Sequence, residues 1–154
     1  IYEGLFYVGK YIEPRYLKNI VTIGLHLKKF DWIKQFLNKY KSEIAPQFRD
    51  GVYYFNMAAY YFYQQQYDNA LQHLLQVADI DAFFNLDYRV LLLKTYYELG
   101  ETEALFSLKD AFGKYVKSQQ SLVNTQKIAY QNLIKFTIRL YRIKLGLTKT
   151  VKPK

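Results

Sequence analysis

Few of the chain's reactive side chains are spaced so that they can act together. The two histidines, His26 and His73, lack the i, i+4 partner or the nearby carboxylate of a zinc-binding helix, so each reads as a helix-surface or groove residue. In "VADIDAFFNLD" the carboxylates Asp79, Asp81 and Asp87 come without the glycine and distal glutamate of a calcium loop, and helix capping is the plainer use for them. The chain has no cysteine, which excludes disulfides, thiolate metal ligands and thiol catalysis. No glycine-rich phosphate loop or nucleophile elbow occurs. The expectation is a protein that is not an enzyme and needs neither metal nor cofactor.

Cations are arranged more tellingly. Of 22 basic and 13 acidic residues, ten basic and no acidic ones fall in residues 114–154. Lys135, Arg139 and Arg142 recur at i, i+4 and i+7, which puts them in one stripe along a helix. That stripe has three readings: a solvated face, a dock for an acidic protein, or a contact for nucleic acid or anionic lipid. Ala129, Leu133, Phe136, Leu140, Ile143 and Leu147 form an apolar seam on the same helix, flanked by Tyr130, Ile134, Tyr141 and Leu145. So wide an apolar surface implies a helix that inserts between two layers or pairs with another chain, so a homo-oligomer through this helix is one of the partner states considered.

The third candidate is aromatic: "YYFNMAAYYFYQQQYDNALQHLLQVA", starting at Tyr53. Its meaning depends on the elements that carry it. A length of 154 residues at 51% hydrophobic suits one domain with a continuous core. Nearly all the prolines and glycines fall between segments whose apolar residues recur at three and four, so the fold class reads as all-α. Helices are expected from Pro14 to His26 and from Asp31 to about Glu43. After a breaker region, "APQFRDG", come Val52 to Gln64 and Asn69 to about Ala78. Asp87, as N-cap, to Leu99 and Thr102 to about Lys117 follow, with a turn at Gly100. A longer helix spans Ser121 to Leu145, and "TKTVKPK" is a disordered tail. No run of about 18 apolar residues occurs, so no membrane span is expected. Opening on Ile1, with no initiator methionine or signal-peptide layout, is the pattern of a piece of a longer polypeptide.

Aligned on their turns, the hairpins place Ile33 against Ala70, 37 residues apart, and Ala70 against Ala104, 34 apart. The second hairpin carries Tyr54, Met57, Ala58 and Tyr61, then Ala70 and Leu74. The same places hold Leu17, Ile20, Val21, Gly24, Ile33 and Leu37 in the first, and Tyr88, Leu91, Leu92, Thr95, Ala104 and Leu108 in the third. Over residues 14–118 this resembles the tetratricopeptide repeat (TPR), and the chain is also similar to uncharacterised bacterial TPR-like proteins. The resemblance implies a right-handed α-solenoid of TPR-like hairpins with a long C-terminal helix. Residues 1–13 would end a preceding repeat, 14–118 hold three hairpins, 119–147 form the capping helix and 148–154 the basic tail. It also implies that Tyr54, Tyr61, Leu71 and Leu74 fill the space between a hairpin and its neighbour, while Phe55, Phe62, Tyr63, Tyr96 and Tyr97, with Lys18 and Arg89, line a concave groove. Such a groove suits a peptide or helix, because flat rings bury much area at little entropic cost. In the alternative, the last helix fills the groove. Some TPR modules clamp a terminal carboxylate; Lys18 and Asn56 match two of the clamp's places, but Thr22, Leu86 and Val90 stand at others.

The function expected is therefore a cytoplasmic protein-interaction scaffold. The alternatives are a nucleic-acid-binding or regulatory repeat domain acting through its basic helix, and a purely structural repeat segment.

Overall fold

The computed structural model describes residues 7–77 and 84–147. Among them the chain forms a short antiparallel pair, β1 (Tyr7–Val8) and β2 (Tyr11–Ile12), and seven α-helices. These are α1 (Pro14–His26), α2 (Phe30–Tyr40), α3 (Pro46–Tyr63), α4 (Tyr67–Leu74), α5 (Asn85–Leu99), α6 (Thr102–Ser118) and α7 (Asn124–Lys144). The architecture is all-α and helical-repeat-like. Two compact units, Ile1–Leu92 and Leu93–Lys154, replace the single domain expected, and the boundary falls inside α5. The expected capping by Asp79 and Asp81, the helix end at Ala78 and the C-terminal tail all lie outside the described residues.

One turn closes helix after helix. At the end of α1, Lys28 takes a left-handed backbone with φ 55°, its N–H donates to Leu25 O at 3.0 Å, and Lys29 N–H reaches back to Gly24 O at 2.9 Å. Gln65, with φ 60°, repeats the arrangement after α3, where Gln66 N–H donates to Tyr61 O at 3.0 Å. Gly100 and Gly146 do the same after α5 and α7. These are Schellman closures, which satisfy carbonyls that the helix leaves without an acceptor role. In the three hairpins the left-handed residue is Lys28, Gln65 and Gly100, at spacings of 37 and 35 residues.

Helix starts follow from local chemistry too. Glu13 caps α1 by accepting from Arg15 N–H at 3.1 Å and Tyr16 N–H at 3.3 Å, with Pro14 in the first turn. The segment "APQFRDG", expected as a breaker, instead begins α3. Proline is harmless in a first turn, where no intrahelical acceptor awaits its missing N–H, and Gly51 is carried within the helix. Asp87 lies inside α5 rather than at its cap, two residues past Asn85.

In the first unit Leu17, Val21 and Leu25 of α1 meet Ile33 and Leu37 of α2, all buried. A Cβ on Gly24 would stand 2.9 Å from Ile33 Cγ1, so these two helices approach through the missing side chain. Ala58 of α3 and Ala70 of α4 are wholly buried and serve the same end in the next pair. Val52, Phe55, Met57, Tyr60 and Leu74 complete this core, and Ile12 of β2 bridges to Ile44 beneath it. Tyr54, Tyr61 and Leu71, expected with Leu74 between a hairpin and its neighbour, are half-buried.

In the second unit the close partner of α6 is α7. Leu105, Leu108, Phe112 and Val116 form the buried stripe of α6, facing Ile134, Ile138 and Tyr141 of α7. The wholly buried residues at the repeat places are Val21, Ala58 and Leu93 in the first helices, and Ile33, Ala70 and Leu105 in the second. Their spacing is 37 and then 35 residues, so the third hairpin sits one residue later than the sequence alignment on Ala104 and Leu92 supposes, and Ala104 is half-exposed. On α7 the sequence left open which apolar face packs. The residues read as flanks, Ile134 and Tyr141, face the core with Ile138, while Phe136 and Leu140 of the seam are exposed and Leu133 and Ile143 half-buried. A helix with two apolar faces can bury either. Tyr141 favours this choice, because its hydroxyl meets Thr102 Oγ1 at 2.7 Å and its ring stands edge-on to Tyr97.

Candidate functional site

The residues assigned to an aromatic groove do not share one environment. Phe55 is a core residue, 5% exposed and stacked on Phe84 with ring centroids 5.4 Å apart. Its helical offset was right for a groove, but Phe84 covers it. Lys18 is engaged as well: its ammonium pairs with Asp87 and lies 5.9 Å from the Phe84 ring. Arg89 Nε donates to Asn85 Oδ1 at 2.8 Å along its own helix. Phe62 is half-buried edge-on to Tyr67, and Tyr63 is exposed beside His26, their rings 5.7 Å apart. Tyr96 and Tyr97 belong to the second unit and are half-buried there. The carboxylate-clamp places are occupied in the same way, since buried Asn56 donates to Val52 O at 2.8 Å. His73 Nδ1 lies 2.8 Å from Asn69 O, between the rings of Tyr54 and Tyr61. Among the described residues no cluster of histidines and carboxylates could hold a metal ion.

Two tyrosines titrate above their ordinary value. Tyr53 is raised by burial and then by neighbouring Tyr61 and Tyr54; its hydroxyl donates to Asn38 Oδ1 at 3.0 Å. Tyr96 is raised by burial and then by Glu101. Both are therefore neutral hydrogen-bonding groups at physiological pH.

The first unit instead presents an apolar surface that the sequence reading missed. Ile20, Ile23 and Leu27 of α1 and its closing turn join Trp32 of α2 around Gly24, with Lys29 at the margin, and enclose a shallow groove of about 400 Å³. Ile23 is 60% exposed, Leu27 63% and Trp32 48%. Trp32 stacks on Phe36, ring centroids 5.0 Å apart, which holds the indole upright at the rim. The signal was present in the sequence: α1 carries apolar residues at Ile20, Ile23 and Leu27 besides its core stripe at Leu17, Val21 and Leu25.

In the second unit the basic stripe is solvent-facing, and it lines a cleft. Lys135, Arg139 and Arg142 of α7 and Lys109 of α6 border a space of about 470 Å³ over Ile134, Ile138 and Gly113. Lys109 pairs with Asp110 at 3.0 Å, and the Arg142 guanidinium lies 5.6 Å from the Phe106 ring. Sequence reasoning found three of these cations and missed Lys109, which lies on a different helix. Among the described residues no helix is long and apolar enough to cross a membrane.

Comparison of the chain with protein-family models, with curated proteins and with solved structures finds no match.

Proposed function

We propose that this chain is a protein-interaction module, a TPR-like right-handed solenoid segment that holds a segment of another polypeptide on exposed apolar surface. The observation that carries this reading is the groove of Ile20, Ile23, Leu27 and Trp32, in which large apolar side chains stay in water although the helices beneath are fully packed. Exposed tryptophan on a rigid helix is the kind of anchor that dominates binding energy at interfaces. The aromatic residues first assigned to a concave groove contribute less, because Phe55 is core and Lys18 is paired. In this reading the chain is not an enzyme, takes no cofactor and works in the cytoplasm.

The test is site-specific photo-crosslinking from position 23 in the full-length protein in its own cells. A discrete polypeptide adduct is expected from the parent and none from Trp32→Ala, with thermal unfolding of that variant unchanged. No adduct, or one that survives Trp32→Ala, overturns the reading. The basic cleft supports a second reading, nucleic-acid binding through α7, for which affinity falls steeply between low and physiological salt as counterions are released. A gel-shift titration at about 50 mM salt decides it, since phosphate contacts are strongest there.

A further inference from the structure

The apolar residues that α7 turns outward are spaced as a heptad. Ala129, Leu133, Phe136, Leu140 and Ile143 alternate steps of four and three. Phe136 is 50% exposed and Leu140 55%, with Ala129 exposed and Leu133 and Ile143 half-buried, so the middle of the strip faces water. A strict step of four and three keeps a strip facing one neighbouring helix along its whole length, a narrower and more regular surface than a globular core requires. The places flanking the strip that carry charge hold Arg139 on one side and Lys144, whose ammonium lies 5.1 Å from the Tyr97 ring, on the other, and α7 contains no acidic residue.

We propose that the outward seam of α7 is the docking strip for an acidic amphipathic helix of another polypeptide. Charge decides between that occupant and a second copy of this chain. In a parallel pair of α7 helices Arg139 would face Lys144 of the second copy, and in an antiparallel pair each cation would face its own kind, so either arrangement sets like charges beside the seam. A helix with glutamates or aspartates at its flanking places reverses both contacts, and Lys135 and Arg142 extend the cationic margin on the Arg139 side. A membrane surface fits less well. An interfacial helix uses a broad apolar face with cations shared between both margins, whereas this strip is narrow and Lys135, Arg139 and Arg142 lie to one side of it against Lys144 alone on the other. The inference rests on the reading of the chain as an interaction module but uses a surface separate from the Trp32 groove.

The probe is a fluorescein-labelled three-heptad peptide with leucine at the core places and glutamate at the flanking ones, compared by anisotropy with a twin carrying lysine there. The glutamate peptide is expected to bind the full chain at least about ten-fold more tightly than its twin, with the gap narrowing as salt rises. Phe136→Ser and Leu140→Ser, both at half-exposed positions, should abolish binding while the chain keeps its helical signal and a cooperative melt, and Arg139→Glu should shift preference toward the lysine peptide. Trp32→Ala should leave the peptide affinity unchanged. Failure of the glutamate peptide alongside Trp32-dependent crosslinking sinks the seam and leaves the function proposed above intact. Equal binding of both peptides overturns the inference. So does seam-dependent self-association in sedimentation velocity, or seam-dependent binding to phosphatidylserine vesicles without peptide discrimination.

Discussion

The two hairpins of the first unit and the α6–α7 pair of the second solve helix packing in opposite ways. In α1–α2 and α3–α4 the backbones come together over residues with little or no side chain, Gly24, Ala58 and Ala70, so the small residue sets the distance. Between α6 and α7 no such residue is buried at the contact; Leu105, Phe112 and Val116 fill the space against Ile134, Ile138 and Tyr141. Small-residue contacts tolerate no added volume, and large-residue contacts tolerate no removal. The difference also explains where apolar surface is left over. A helix that needs only three large residues for its core has circumference to spare, and α7 spends it on an outward seam.

The largest expected effect comes from removal. Phe112→Ala should cost about 3–5 kcal/mol in denaturant unfolding, since the ring is wholly buried among large neighbours. A loss near 1 kcal/mol would mean that the second unit closes over the hole and is not the rigid filling described. Addition should hurt the first unit next. Ala70→Leu should destabilise by about 1–3 kcal/mol, whereas Ala104→Leu, at a half-exposed place, should cost under about 1 kcal/mol. Equal losses would return the third hairpin to the 34-residue register and put Ala104 at the closest approach. Smaller still, Phe136→Ser and Leu140→Ser should each cost no more than about 1 kcal/mol, because about half of each side chain stays in water in the folded protein. A loss several times that size would place the seam inside the fold.

The smallest effect is one both units share. Tyr53 and Tyr96 have folded values raised above the ordinary tyrosine value of about 10, so folding favours their neutral forms. That contribution is complete below the unfolded value and is lost as pH rises through the folded one. The denaturant midpoint should therefore begin to fall above about pH 10, and Tyr53→Phe together with Tyr96→Phe should remove part of that slope. An unchanged slope in the double variant would show that neither phenol is buried enough to matter.

Helix boundaries were legible wherever a residue type dictates a backbone state. Pro14 and Gly100 marked the start of α1 and the end of α5 because few conformations are open to them. Pro46 misled for the same reason read the other way: a proline after a polar stretch marks a stop or a start equally well, and here it starts α3. The register of the third hairpin was missed by one residue because Leu91, Leu92 and Leu93 are interchangeable by hydropathy, and only packing selects Leu93 as wholly buried. The packing face of α7 was not legible because both faces are apolar. What separates them is a hydrogen bond from Tyr141 to Thr102, a contact between distant positions that periodicity cannot contain. Phe55 was assigned to a groove for want of any sign that Phe84 would cover it.

The recurring closure at Lys28, Gln65 and Gly100 has a consequence in time. Each joint forms from residues within one turn of a helix end, and each lets its flanking helices meet without waiting for distant chain to arrive. Proteins built from such local contacts fold in about microseconds to milliseconds, and structure can begin at any one of several places and spread. Lys28 and Gln65 make the backbone reversal with side chains that resist it, a cost of about 1–2 kcal/mol each that the glycine joint at Gly100 does not bear.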